Sequence, residues 1–134
     1  EYEDGSFLPP TVFGGMTAGM RIAQEEIFGP VTGIIAAADL DEAIRIANST
    51  QYGLSCAIYT RDITSTFKAI GQLEFGVVYV NAPTIGAEVQ LPFGGMKATG
   101  NGHREAGPQA LDEFTEWKAV SVDFSGRVQK AQMQ

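Results

Sequence analysis

The sequence predicts an α/β fold, a parallel sheet with crossover helices, closed by a C-terminal helix and a last strand. Three observations carry it. From residue 31 to residue 81, β-rich apolar runs and segments of helical period follow in the order strand, helix, strand, helix, strand, which calls for parallel neighbours joined by right-handed crossovers. Residues 82 to 107 are rich in Gly, Pro, Asn and Thr with weak periodicity, as in long ordered loops that carry function. The end of the chain returns to strict alternation.

The first strand follows the Gly29-Pro30 turn in "VTGIIAA", which reads as buried. In "DLDEAIRIANS", Asp39 and Glu42 are spaced as a capping box, and Leu40, Ala43, Ile44 and Ala47 share one helical face. "LSCAIYT" supplies the second strand. Asp62 can cap "ITSTFKAIGQL", where Ile63, Phe67 and Ile70 recur at helical spacing, and "GVVYVN" is the third strand. A last helix, "PQALDEFTEW", leads into "KAVSVDF", with Val120, Val122 and Phe124 on one face and Ala119, Ser121 and Asp123 on the other. No later strand is available to pair with it, so its apolar face and its backbone groups both need a partner. The polar tail "SGRVQKAQMQ" is expected to fray.

At 134 residues, 44% hydrophobic and 19% charged, the chain is expected to form one globular domain with its own core. The net charge of -7, with scattered basic residues (Arg21, Arg45, Arg61, Lys68, Lys97), argues against nucleic acid and membrane surfaces as partners. No apolar run reaches the roughly 18 residues of a membrane-spanning helix. One cysteine excludes an internal disulfide framework and a cysteine-based zinc site, and it fits a reducing, cytoplasmic compartment. The sequence begins at Glu1 without a signal-peptide pattern, so it is expected to be a processed product or a piece of a longer chain.

Three stretches offer chemistry. "GGMKATGNG", Gly94 to Gly102, lacks the Lys-Ser/Thr ending of a P-loop and the glycine spacing of a dinucleotide fingerprint. Its glycines therefore read as serving tight turns and close backbone approach. Cys56 and His103 are the minimal groups for a thiolate-imidazole pair. Cys56, however, lies in an apolar strand, where a cysteine is usually a small unactivated hydrophobe, and His103 in "GHREAG" is equally a hydrogen-bonding residue at a helix entry. A lone histidine cannot build a metal site. In "QEEIFGPV", Glu25 and Glu26 are either a solvated acidic pair or include an acceptor for both hydroxyls of a ribose, with Phe28 placed to lie against a planar heterocycle.

Taken together, "PPTVFGGMTAGMRIAQEEIFGPV", "YGLSCAIYTRD", "GVVYVNAPT", "LPFGGMKATGNGHREAG" and "FTEWKAVSVDF" resemble the C-terminal part of the NAD(P)-dependent aldehyde dehydrogenase superfamily, from about Pro10 to Phe124. "NAPTIGAEVQLPFGG" is most similar to the semialdehyde-oxidising branches. The resemblance implies that Glu26 holds the nicotinamide ribose hydroxyls of NAD or NADP, that Phe28 lies against the nicotinamide region, and that Phe93 lines the tunnel for a small-molecule aldehyde. The loop from Ala82 to Leu91 would vary with substrate.

It also implies a division of the chain. Residues 1-107 would be the C-terminal half of the catalytic domain, with its tunnel and cofactor-contacting loops. Residues 108-134 would be the C-terminal helix, the oligomerisation strand and the tail, the strand adding to a neighbouring subunit's sheet in a homodimer or a dimer of dimers. In the resembling family the nucleophilic cysteine, the general-base glutamate, the oxyanion-stabilising asparagine and the cofactor domain lie upstream of this match, and Cys56 does not fit the nucleophile motif. No catalytic residue and no metal ligand is assigned, and the chain alone is expected to be inactive. The alternative is a naturally short, non-catalytic assembly module built from the same domain half; a small Cys-His hydrolase ranks third.

Overall fold

A computed structural model describes residues 5-127. In chain order it holds β1 (Thr11–Met16), α1 (Arg21–Gln24), β2 (Val31–Ile35), α2 (Leu40–Asn48), β3 (Ser55–Ile58), α3 (Ile63–Gln72), β4 (Val77–Val80), a 3-10 turn at Lys97–Thr99 and α4 (Ala110–Phe114). The strands form two parallel pairs, β1 with β2 and β3 with β4. The expected parallel strands and crossover helices are present, but among the described residues β2 pairs with β1 and not with β3 or β4, so the sheet expected to be continuous is divided. Sequence reading missed β1 because Gly14 and Gly15 interrupt its alternation. The ladder shows the same interruption as a register shift between Phe13 and Met16, with Gly15 at φ 66°.

Both long helices begin where the sequence places them. The Glu42 N–H donates to Asp39 Oδ1 at 2.8 Å, and the Ser65 N–H donates to Asp62 Oδ2 at 2.7 Å, so each aspartate satisfies an orphan donor of a first turn. The return half of the capping box is displaced by one residue: Glu42 Oε2 accepts from the Ala38 N–H at 2.7 Å, not from Asp39. At the far end of the β3–β4 pair, Asn81 Oδ1 accepts from the Thr60 N–H at 2.8 Å, and its Nδ2 donates to Thr60 O at 2.9 Å. One side chain thus fastens both strand exits. Its left-handed φ of 54° suits asparagine better than most residues.

Packing is where expectation and structure part. The face Leu40, Ala43, Ile44 and Ala47 of α2 does meet Cys56, Ala57 and Ile58 of β3 and Ala69 and Leu73 of α3. Yet the buried apolar residues among those described are only Met16, Ile44 and Ala69. The chain exposes 11163 Å², against about 6,800 Å² for a folded monomer of its mass. A self-contained core is thus corrected. The Ile63, Phe67 and Ile70 stripe of α3 points outward at 66%, 68% and 46% exposure, and "VTGIIAA" is open along most of β2. These faces have the periodicity of core elements without a covering layer among the described residues.

The C-terminal part shows the same effect. The predicted ten-residue helix shortens to α4, five residues, and "KAVSVDF" forms no strand among the described residues. A strand exists through its ladder partner, and Trp117, Val120, Val122 and Phe124 all remain exposed without one. The expected fraying concerns a tail of which only residues 125-127 are described. No helix among the described residues is long and apolar enough to cross a membrane.

Candidate functional site

Helix α1 delivers the acidic pair. It ends at Glu25, whose backbone is extended, and Arg21 Nε donates to both oxygens of that carboxylate at 2.8 Å. Glu25 is thereby occupied. Glu26 is exposed, and its carboxylate has no partner among the described residues. It lines an opening of about 330 Å³ with Gln24, Tyr52, Leu54 and Thr99, and a neighbouring one of about 380 Å³ with Arg21, Ile22 and Ile27. Phe28 follows with a left-handed φ of 54°, an outlier for an aromatic residue that costs about 1 to 3 kcal/mol and marks candidate functional positions. The residue is 92% exposed and lines neither opening. Beyond it, the Val31 N–H donates to Gly29 O and the Thr11 N–H to Pro30 O, so the Gly-Pro turn starts the β1–β2 pair.

Phe93 is held from the other side. Its backbone exchanges two hydrogen bonds with Glu105, at 2.6 and 2.8 Å, and its half-buried ring lines a cavity of about 520 Å³ with Leu54, Gly95, Thr99, Asn101 and His103. Leu54 and Thr99 belong to both this cavity and the Glu26 opening. The two sequence-predicted positions Glu26 and Phe93 therefore open on either side of one wall. Phe28 stays outside both.

Backbone contacts build that wall. The Gly53 N–H donates to Thr99 Oγ1 at 3.1 Å, its carbonyl accepts from Met96 and Gly76, and the Ala98 N–H donates to Gln51 O. A side chain at Gly76 or Gly100 would run into the carbonyl of Gly94 or Gly95. The glycine-rich stretch thus serves close backbone approach, as its spacing predicts.

Cys56 and His103 line different cavities. Burial among α2, α3 and β3 pushes the Cys56 thiol up, outweighing the hydrogen bond at Ala57 that acts the other way, so the thiolate is disfavoured. His103 Nδ1 pairs with Glu113 of α4. Among the described residues, no three His, Cys, Asp or Glu side chains come together as a metal site.

The sequence matches the aldehyde dehydrogenase family over residues 1–120. The chain belongs to that family. Among the relatives of this aldehyde dehydrogenase chain is the alpha-ketoglutaric semialdehyde dehydrogenase of Bacillus subtilis, 43% identical over 122 residues, which are 91% of this chain and 25% of that protein. Two solved structures are similar in fold and sequence. An NAD-dependent aldehyde dehydrogenase from Sinorhizobium meliloti superposes with a TM-score of 0.84 at 36% identity, covering 92% of this chain and 24% of that one. The indole-3-acetaldehyde dehydrogenase AldA of P. syringae, a C302A mutant in complex with NAD+ and IAA, gives 0.81 at 41% identity, covering 87% and 23%. The chain spans about a quarter of the length of these relatives. Sequence reading missed Tyr52, Leu54 and Thr99 as site residues; the one hydroxyl side chain within Gly94 to Gly102 was the available signal for Thr99.

Proposed function

We propose that the whole protein is an NAD(P)-dependent aldehyde dehydrogenase that oxidises an aldehyde, with semialdehydes the favoured class, to a carboxylate. In this reading Glu26 accepts hydrogen bonds from the nicotinamide ribose hydroxyls, Phe28 bounds the nicotinamide, and Phe93 lines the aldehyde tunnel. The observation that carries it is the shared wall: the opening beside the unpartnered Glu26 carboxylate and the cavity beside Phe93 meet at Leu54 and Thr99. A free carboxylate suits a diol, since each oxygen accepts one hydroxyl, and Arg21 has already taken the competing Glu25. When bound, the nicotinamide would accept the hydride of the oxidised aldehyde. This chain's residues orient and exclude water; the groups that break bonds are proposed to lie in the remaining three quarters of the enzyme, which leaves this segment inactive alone. NAD is favoured by the NAD+ complex of the P. syringae relative, and the semialdehyde class by the name of the B. subtilis relative. A cytoplasmic homo-oligomer completes the reading.

The test is steady-state turnover of the full-length enzyme with NAD and with NADP, across aldehydes with and without a carboxylate group. Reduced nicotinamide and acid product should form in equal amounts, fastest with a carboxylate-bearing aldehyde. Absence of turnover with every pair would refute the reading.

A further inference from the structure

We infer that Lys97 is a positioning residue for hydride transfer, its ammonium group seating the wall between the Glu26 opening and the Phe93 cavity. The inference rests on the function proposed above, which gives those two spaces their ligands. Lys97 Nζ donates to Asn48 O at 3.1 Å and to Thr50 O at 3.0 Å, lies 3.8 Å from Glu74 Oε2, and sits 5.2 Å from the centre of the Phe75 ring. Two carbonyls at the negative end of α2, a carboxylate and an aromatic face converge on one cation. The side chain keeps only 23% exposure although it is charged. Asn48, the last residue of α2, also donates from Nδ2 to Gln72 O at 2.7 Å and accepts the Glu74 N–H at 2.9 Å. Lys97 is thus tied to a junction where both helices end.

Its backbone points the same way. Lys97 has φ 52°, a conformation glycine adopts more readily, in a loop already rich in glycine. Met96 and Ala98, on either side, donate to Gly53 O and Gln51 O, and two residues on, Thr99 forms part of both cavities. Releasing the ammonium group leaves the 96-99 turn held only by its contacts to Gly53 and Gln51, so that it can shift slightly relative to Leu54 and change the distance between the two ligand spaces. Small misplacements of that kind slow a reaction steeply.

The experiment compares full-length parent, Lys97→Met, Lys97→Arg and Glu74→Gln in kcat, KM, thermal midpoint and the primary isotope effect with aldehyde deuterated at its reacting carbon. In Lys97→Met, kcat should fall about tenfold and the isotope effect roughly double, with both KM values within about threefold and partial recovery in Lys97→Arg. A lower midpoint with unchanged isotope effect and unchanged kcat per folded enzyme would overturn the inference, leaving Lys97 a stabilising contact. Should Lys97→Met fail to fold, Glu74→Gln decides: a raised isotope effect supports the role and an unaltered one refutes it. Turnover by the parent with no response in any variant removes this inference alone; a parent that oxidises no aldehyde removes the function beneath it as well.

Discussion

At the scale of single residues, the acidic pair divides its labour through one neighbour. Arg21 captures Glu25 in an i,i+4 pair and leaves Glu26 free, a division invisible in "QEEIFGPV" because it depends on where α1 stops. Replacing Glu26 with Gln in the full-length enzyme removes charge-assisted acceptance and should weaken cofactor binding or hydride transfer by about 1.5 to 3 kcal/mol. Unaltered constants for both steps would place the ribose elsewhere. Cys56 offers the opposite case, since its apolar setting was readable from its strand neighbours and its thiol is pushed up by burial. Cys56→Ala should keep turnover close to the parent's and lower stability by about 1 kcal/mol. Loss of turnover in a folded Cys56→Ala enzyme would make the thiol functional.

Among the elements, α2 and α3 were legible because their signals are local: an aspartate at each N-cap and an apolar period behind it. Strand β1 was not, because its identity depends on β2 and its glycine pair breaks the alternation. The fate of the α3 stripe was not legible either, since exposure depends on chain segments beyond these elements. Helix α3 carries a pH test. The Asp62 carboxyl is held below its usual range, first by the Ser65 hydroxyl and then by the Ser65 N–H. A depressed folded pKa contributes stability that is fully present above the unfolded value, about 3.9, and is lost as pH falls through the folded value. In Asp62→Ala, the α3 amides should exchange faster than the parent's at neutral pH, and the difference should shrink below about pH 4. A difference independent of pH would mean that the carboxylate contributes no cap.

For the molecule as a whole, open apolar surfaces dominate, and the length and composition of the chain did not foretell them. Hydropathy predicts how much apolar surface exists, and only the assembled layers decide how much is covered. The segment "KAVSVDF" has an alternating pattern, an exposed apolar face and no ladder partner among the described residues. In the proposed oligomer a neighbouring subunit's sheet supplies that partner. Combining Val120→Asp with Val122→Pro puts a charge on the apolar face and removes a backbone donor, so the full-length double variant should sediment as a monomer. A sedimentation coefficient equal to the parent's would locate the contact elsewhere.

The proposed division of labour makes this chain the cofactor- and tunnel-lining part of an aldehyde dehydrogenase whose bond-breaking groups lie outside it. It is tested most directly by measuring reduced-nicotinamide formation from one good aldehyde substrate with full-length enzyme and with residues 1 to 134 alone, at equal molar concentration. Turnover is expected from the full-length enzyme and none from the segment. Aldehyde-dependent reduction of NAD or NADP by the segment alone would contradict it.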